Sequence, residues 1–172
     1  MPQGETRMHD HYEVDVISVM VEGNIEHQGS MGHGQDLKPY DIQVQRAGGE
    51  GFSHNEVNPD ATWNRMIQIW VLPEKAGQAA RYQMYKPTEN TLTRIYGGGS
   101  NHDFPSQTKI EVTLLKKGQA VNITEPFIAY ITQGKGIANQ EKVEDGDLIR
   151  GDHLHFSALD NVQLIIIHIT EH

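Results

Sequence analysis

Apolar positions along this chain come in short runs broken by Gly, Pro, Asn and Asp, the pattern of strands joined by turns. From His9 to Val21 the sequence is rich in β-branched residues and reads as one strand. One face carries His9, His11, Glu13, Asp15, Ile17, Val19 and Val21; the other carries Tyr12, Val14, Val16, Ser18 and Met20. Both faces turn apolar towards Val21, so that half is expected to be buried on both sides. Glu22-Gly23-Asn24 marks a turn, and Asn24 to Gln28 returns as a hairpin strand. Further strands are predicted at Ile42–Gln45, around His54 and Glu56, at Arg65–Leu72, Ile110–Leu115, Ala120–Ile123, Phe127–Thr132, Leu148–Ile149 and Val162–Ile169. The polar stretch 73–87, with a proline at each end, reads as a linker. No segment longer than about ten residues sustains a helical period, so the expected class is all-β.

The hairpin 19–26 (VMVEGNIE) is echoed at 130–137 (YITQGKGI), with Gly23 matched to Gly134. Carried back, the same offset places His9 and His11 on Ala120 and Asn122. Two copies of one unit are therefore expected, with candidate ligands only in the first.

Those candidates are His9 and His11, then His54 and Glu56. Each pair is spaced i, i+2, which on a strand aims both side chains one way. If the two strands face each other, three imidazoles and one carboxylate converge, a set suited to a first-row transition metal with open positions. Histidine must be neutral to bind, so affinity is expected to fall as pH drops through about 6. Asp15, and less so Glu13, is expected to accept a ligand N–H. Gln68, Met66 and Trp70 are candidates to line the interior, Met66 and Trp70 more simply as packing. His27 and His33 are expected at the surface. His153-Leu154-His155 has no second ligand pair and is not expected to bind metal.

Composition narrows the classes. There are 14 Lys and Arg against 23 Asp and Glu, a net charge of −9, and no basic block, so direct nucleic-acid binding is not expected. With no cysteine, thiolate ligands and disulfides are excluded, and a reducing cytoplasm is the simpler location. The N-terminus lacks an apolar signal region, and the longest apolar run, Leu164 to Ile167, is too short to span a bilayer. No P-loop, nucleotide fingerprint or Ser-His-Asp spacing occurs.

The spacing of His9, His11 and Asp15, followed by Gly51, His54 and Asn58, resembles the two cupin motifs. The stretch 9–34 is similar to the signature region of the pirin family. So are the later segments Lys38–Gln43, Ala47–Gly51, His54–Glu56 and Met66–Trp70. The resemblance implies two cupin-type jelly-roll barrels, a bicupin: residues 1–85 carry the metal and residues 86–172 form a degenerate, metal-free cupin. It implies one mononuclear ion on His9, His11, His54 and Glu56, usually Fe(II), with Mn, Ni, Co, Zn or Cu also compatible with the ligands. It further implies an O₂-dependent dioxygenase acting on a flavonol such as quercetin, with Glu56 as the base. The alternative it offers is a non-enzymatic, iron-dependent redox sensor that binds a protein partner; a homodimer is also compatible. Three departures stand out. Pirins normally carry strands before the H-x-H segment, so the first barrel is expected to be short of a wall at its start. Tyr12 replaces the usual Arg, and Tyr40 replaces a turn glycine.

Overall fold

The computed structural model describes residues 1–99 and 101–168, and all regular structure in them is β-strand. The chain divides into two compact units, Met1–Lys86 and Pro87–His172. The strands of the first unit are β1 (His9–His11), β2 (Asp15–Glu22), β3 (Ile25–Gly29), β4 (Gln35–Leu37), β5 (Ile42–Arg46), β6 (Phe52–Val57), β7 (Arg65–Val71) and β8 (Arg81–Tyr85). They form two antiparallel four-stranded sheets, ordered β1-β6-β3-β4 and β7-β2-β5-β8.

The segment expected as one strand from His9 to Val21 is two strands in different sheets. The chain breaks at Glu13, whose φ is +51° and whose N–H donates to the Gly48 carbonyl at 3.0 Å. The break resets the alternation, so β2 does not continue the face of β1. Asp15, expected to brace a ligand histidine, is instead gripped by Arg46 of the neighbouring β5, with Nη2 to Oδ2 at 2.6 Å and both residues buried. Removing either partner strands a buried charge, at a cost of about 3–5 kcal/mol. Ile17, Val19 and Val21 are buried, as their two-sided apolar pattern implies. Tyr40 lies at φ +73°, a conformation that favours glycine and so accounts for the glycine usual at this turn. The stretch 73–87 is not all linker, because β8 within it pairs with β5.

The second unit contains β9 (Thr93–Gly98), β10 (Ser106–Leu115), β11 (Ala120–Ile123), β12 (Phe127–Gln133), β13 (Lys135–Ala138), β14 (Glu141–Glu144), β15 (Leu148–Gly151), β16 (Leu154–Ala158) and β17 (Val162–His168). Ile169, expected at the end of β17, lies outside the described residues. The sheets run β15-β12-β17-β10-β9 and β11-β16-β13-β14. Phe127, Ile131, Leu154, Phe156 and Leu164 pack at the centre of its core. Each such side chain contributes about 1.5–3 kcal/mol by leaving water.

The order β11-β16-β13-β14 repeats β1-β6-β3-β4, and the central pair β12-β17 repeats β2-β7. The outer sheets then differ. β17 sits between β12 and β10, whereas β7 pairs with β2 alone among the described residues. Leu164 and Ile166 on β17 are fully buried, while Trp70 on β7 is 60% exposed and Leu72 just beyond it 81%. No helix among the described residues is long and apolar enough to cross a membrane.

Candidate metal centre

β1 and β6 pair antiparallel with His9 directly opposite His54. Residues opposite each other share a face, as do residues two apart on one strand. His9, His11, His54 and Glu56 therefore project together. On the far side of β6, β3 sets His27 opposite Glu56. Two glycines make this packing close enough. A Cβ on Gly29, opposite His54, would strike the Ser53 carbonyl, and Gly51 enters β6 at φ +75° against the Tyr12 ring.

His9, His11 and His54 each offer a ligand nitrogen within 4.8 Å of the others. The Nε2 of His54 lies 3.0 Å from that of His9 and 3.1 Å from that of His11. Two nitrogens bound at right angles to one ion at about 2.1 Å sit about 3.0 Å apart, whereas a tetrahedral angle spreads them to about 3.4 Å. The spacing thus fits the right-angled corner of an octahedral shell. His9 is oriented by its own backbone: its Nδ1–H donates to the Arg7 carbonyl at 2.8 Å, which leaves Nε2 a bare lone pair facing inward. Burial, then the neighbouring His9, lowers the pKa of His11. Burial, then His9, His11 and His27, pushes His54 down to about 3. His54 is therefore neutral and ready to ligate well below the usual histidine range, and the His11 shift has the same direction.

Glu56 is buried and belongs to a second ligand-type group, with His27 and His54. Its Oε1 accepts from Ser18 Oγ at 3.2 Å and Gln43 Nε2 at 3.1 Å; its Oε2 accepts from Gln68 Nε2 at 3.3 Å. Burial raises its pKa, and these donors act against the rise. Each glutamine is aimed by an aromatic donor. Trp70 Nε1 donates to Gln68 Oε1 at 2.9 Å and Tyr82 Oη to Gln43 Oε1 at 3.4 Å, which turns both amide nitrogens towards Glu56. Trp70 also meets the His11 ring edge-on, centroids 5.1 Å apart. A cavity of about 360 Å³ reaches Glu56 past Thr6, Ile25, Arg65 and Met66, within the range of small-molecule sites.

Gln68 stands where the sequence suggested, and Trp70 is a half-open wall more than a core residue. Ser18, Gln43 and His27 were missed. His27 was expected at the surface and is fully buried. The available signal was a lone polar residue inside an apolar strand, as in VISVM and IQV. His33 is exposed as expected. His153 and His155 are also exposed, with His155 bonded to Asn122 Oδ1 at 2.7 Å. Glu13 accepts from the Gly77 N–H at 2.9 Å, away from the histidines.

Together these features define a cupin-type all-β protein with a histidine-rich centre on its first sheet pair. Residues 1–71 match the sequence profile of the family Pirin. A Pseudomonas aeruginosa protein, "Putative quercetin 2,3-dioxygenase PA1210", is 36% identical over 176 residues, 94% of this chain and 75% of that protein. The chain belongs to the pirin family. Quercetin 2,3-dioxygenase of Escherichia coli K12 is 36% identical over 76 residues, 44% of this chain. The match spans about a third, 32%, of that enzyme's length. The crystal structure of the Escherichia coli bacterial pirin YhhW in complex with nickel(II) superimposes with a TM-score of 0.79 at 19% identity. That match covers 96% of this chain and 76% of YhhW.

Proposed function

We propose that this pirin binds one divalent transition metal through His9, His11, His54 and Glu56, and works as an O₂-dependent dioxygenase on a flavonol-type substrate. The observation that carries the reading is the convergence of three Nε2 atoms at 3.0 and 3.1 Å beside a buried carboxylate. Fe(II) is the ion proposed; the nickel(II) held by YhhW and the quercetin dioxygenase names of the relatives support the class of chemistry. When bound, the ion would supply Lewis-acid and redox chemistry.

The protein's own groups do the rest. Glu56, raised by burial and held by Ser18, Gln43 and Gln68, takes the proton of the substrate hydroxyl. Trp70, edge-on to His11, walls the approach and offers an aromatic face to a planar ring. The test is O₂ uptake by Fe(II)-loaded protein with quercetin. Turnover well above a His54→Ala control is expected; uptake equal to the control removes the proposal.

A second reading keeps the metal and makes it a redox-sensitive element of a protein-binding surface. It is favoured by the edge position of β7 among the described residues, with Trp63, Trp70 and Leu72 exposed around it. It predicts metal binding without O₂ uptake.

A further inference from the structure

His27 and His54 each have one ring nitrogen satisfied and one buried without a partner. In both the orphan is Nδ1. The His27 Nε2 lies 2.8 Å from the Met31 carbonyl, which can only accept, so His27 carries a proton on Nε2. In a neutral ring this leaves Nδ1 a bare lone pair. His54 is the complement. Its Nε2 faces His9 and His11, so an ion at that corner takes the Nε2 lone pair and obliges the ring proton onto Nδ1. That N–H then needs an acceptor. His9 meets the same need through the Arg7 carbonyl.

The rings of His27 and His54 lie 5.5 Å apart between centroids, tilted by 56°. A direct N–H···N bond of about 2.9 Å between facing imidazoles places centroids about 5 Å apart. As the rings stand, neither Nδ1 has a partner, so the bond forms only when the two rings rearrange.

We propose that His27 is a positioning residue of the metal centre, accepting the Nδ1–H of His54 when His54 ligates through Nε2. The chain of contacts runs from the ion to His54, to His27, to the Met31 carbonyl, and so into the loop 29–34. A carbonyl partner would fix only the ring's tautomer. A histidine partner, itself tethered to a loop, also makes that loop sense the metal. The proposal rests on the metal reading above.

The test uses Zn²⁺ as a diamagnetic probe and Ni²⁺ for affinity. In Zn²⁺-loaded wild type, proton–nitrogen correlation spectra of the imidazoles should show His54 protonated on Nδ1 and His27 on Nε2, with the His54 proton slow to exchange. In His27→Phe, which keeps a buried ring, Ni²⁺ affinity by calorimetry should fall about 10- to 100-fold. The His54 proton should then exchange fast. A role for His27 in packing alone would lower thermal stability and leave both the affinity and the wild-type tautomer pattern untouched. His27 protonated on Nδ1, or unchanged Ni²⁺ affinity in His27→Phe, overturns the proposal and leaves the metal reading standing. Wild type that binds neither ion overturns both. Should His27→Phe fail to fold, the wild type decides by a ¹⁵N–¹⁵N coupling across the hydrogen bond between the His54 and His27 Nδ1 atoms: its presence supports the proposal and its absence overturns it.

Discussion

Across β5, β2 and β7 of the first unit, Gln43, Ser18 and Gln68 lie side by side on one rung. Across β15, β12 and β17 of the second, the corresponding rung is Ile149, Ala129 and Ile166. The neighbouring sheets differ in the same way. His9 opposes His54 in the first unit, and Ala120 opposes Ser157 in the second. His155 falls on a different register position, opposite Asn122. One strand scaffold therefore supports either a polar centre or an apolar core. The polar rung is tolerable only because its donors have an acceptor: three of them end on the Glu56 carboxylate. In the second unit Ala129 and Ile166 join the hydrophobic core directly.

Exchanging the rungs tests this contrast. Ile166→Gln places an amide in an apolar core and is expected to cost about 2–4 kcal/mol, read as a lowered calorimetric Tm. The mirror change, Gln68→Ile, takes one donor from Glu56 and should cost about 1–3 kcal/mol. If Gln68→Ile is stabilising in metal-free protein, Glu56 does not depend on that donor.

Acidification between pH 7 and 5 probes the buried histidines of the first unit. The folded pKa of His54 is about 3 and that of His11 is lowered, against 6.5 for the unfolded chain. The unfolded state thus binds more protons below pH 6.5. Stability is fully present above that pH and is lost as pH falls towards 3, at up to about 1.4 kcal/mol per pH unit for His54. Glu56, raised by burial, has the opposite sign and favours the fold at low pH. With three lowered histidines, His11, His27 and His54, against one raised carboxylate, metal-free protein should melt earlier at pH 5 than at pH 7, and His54→Ala should flatten that slope. Proton competition for the metal should likewise set in lower than the pH of about 6 expected from ordinary histidines. The smallest effect belongs to His155→Ala on the exposed face of β16, within about 0.5 kcal/mol of wild type.

The pairs His9/His11 and His54/Glu56 were legible because period-two spacing survives in short strands, and β1 and β6 are short. Asp15 and Ser18 were misassigned for one reason, the turn at Glu13. A left-handed residue in a run of apparent strand formers leaves no mark in a pattern of alternation, yet it moves everything after it to another sheet and another phase. His27 was missed because its burial is a property of the neighbouring strands: β4 and β6 flank β3, and β4 carries little hydrophobic signal of its own. The strands β8 and β14 were illegible for the same reason, being polar segments held by their partners, while β9, β13 and β16 were missed although they carry apolar residues. The likeness of the two units rested in sequence on one hairpin and is far plainer in strand order.

Metal binding by the first unit's histidines, and by no part of the second unit, is the claim on which the proposed function depends. Calorimetric titration of metal-free protein with Ni²⁺ tests it most directly, comparing wild type with His54→Ala and with the double variant His153→Ala/His155→Ala. One equivalent per chain is predicted for wild type and for the double variant, and none for His54→Ala. Binding that survives His54→Ala, or that disappears with His153 and His155, contradicts the claim.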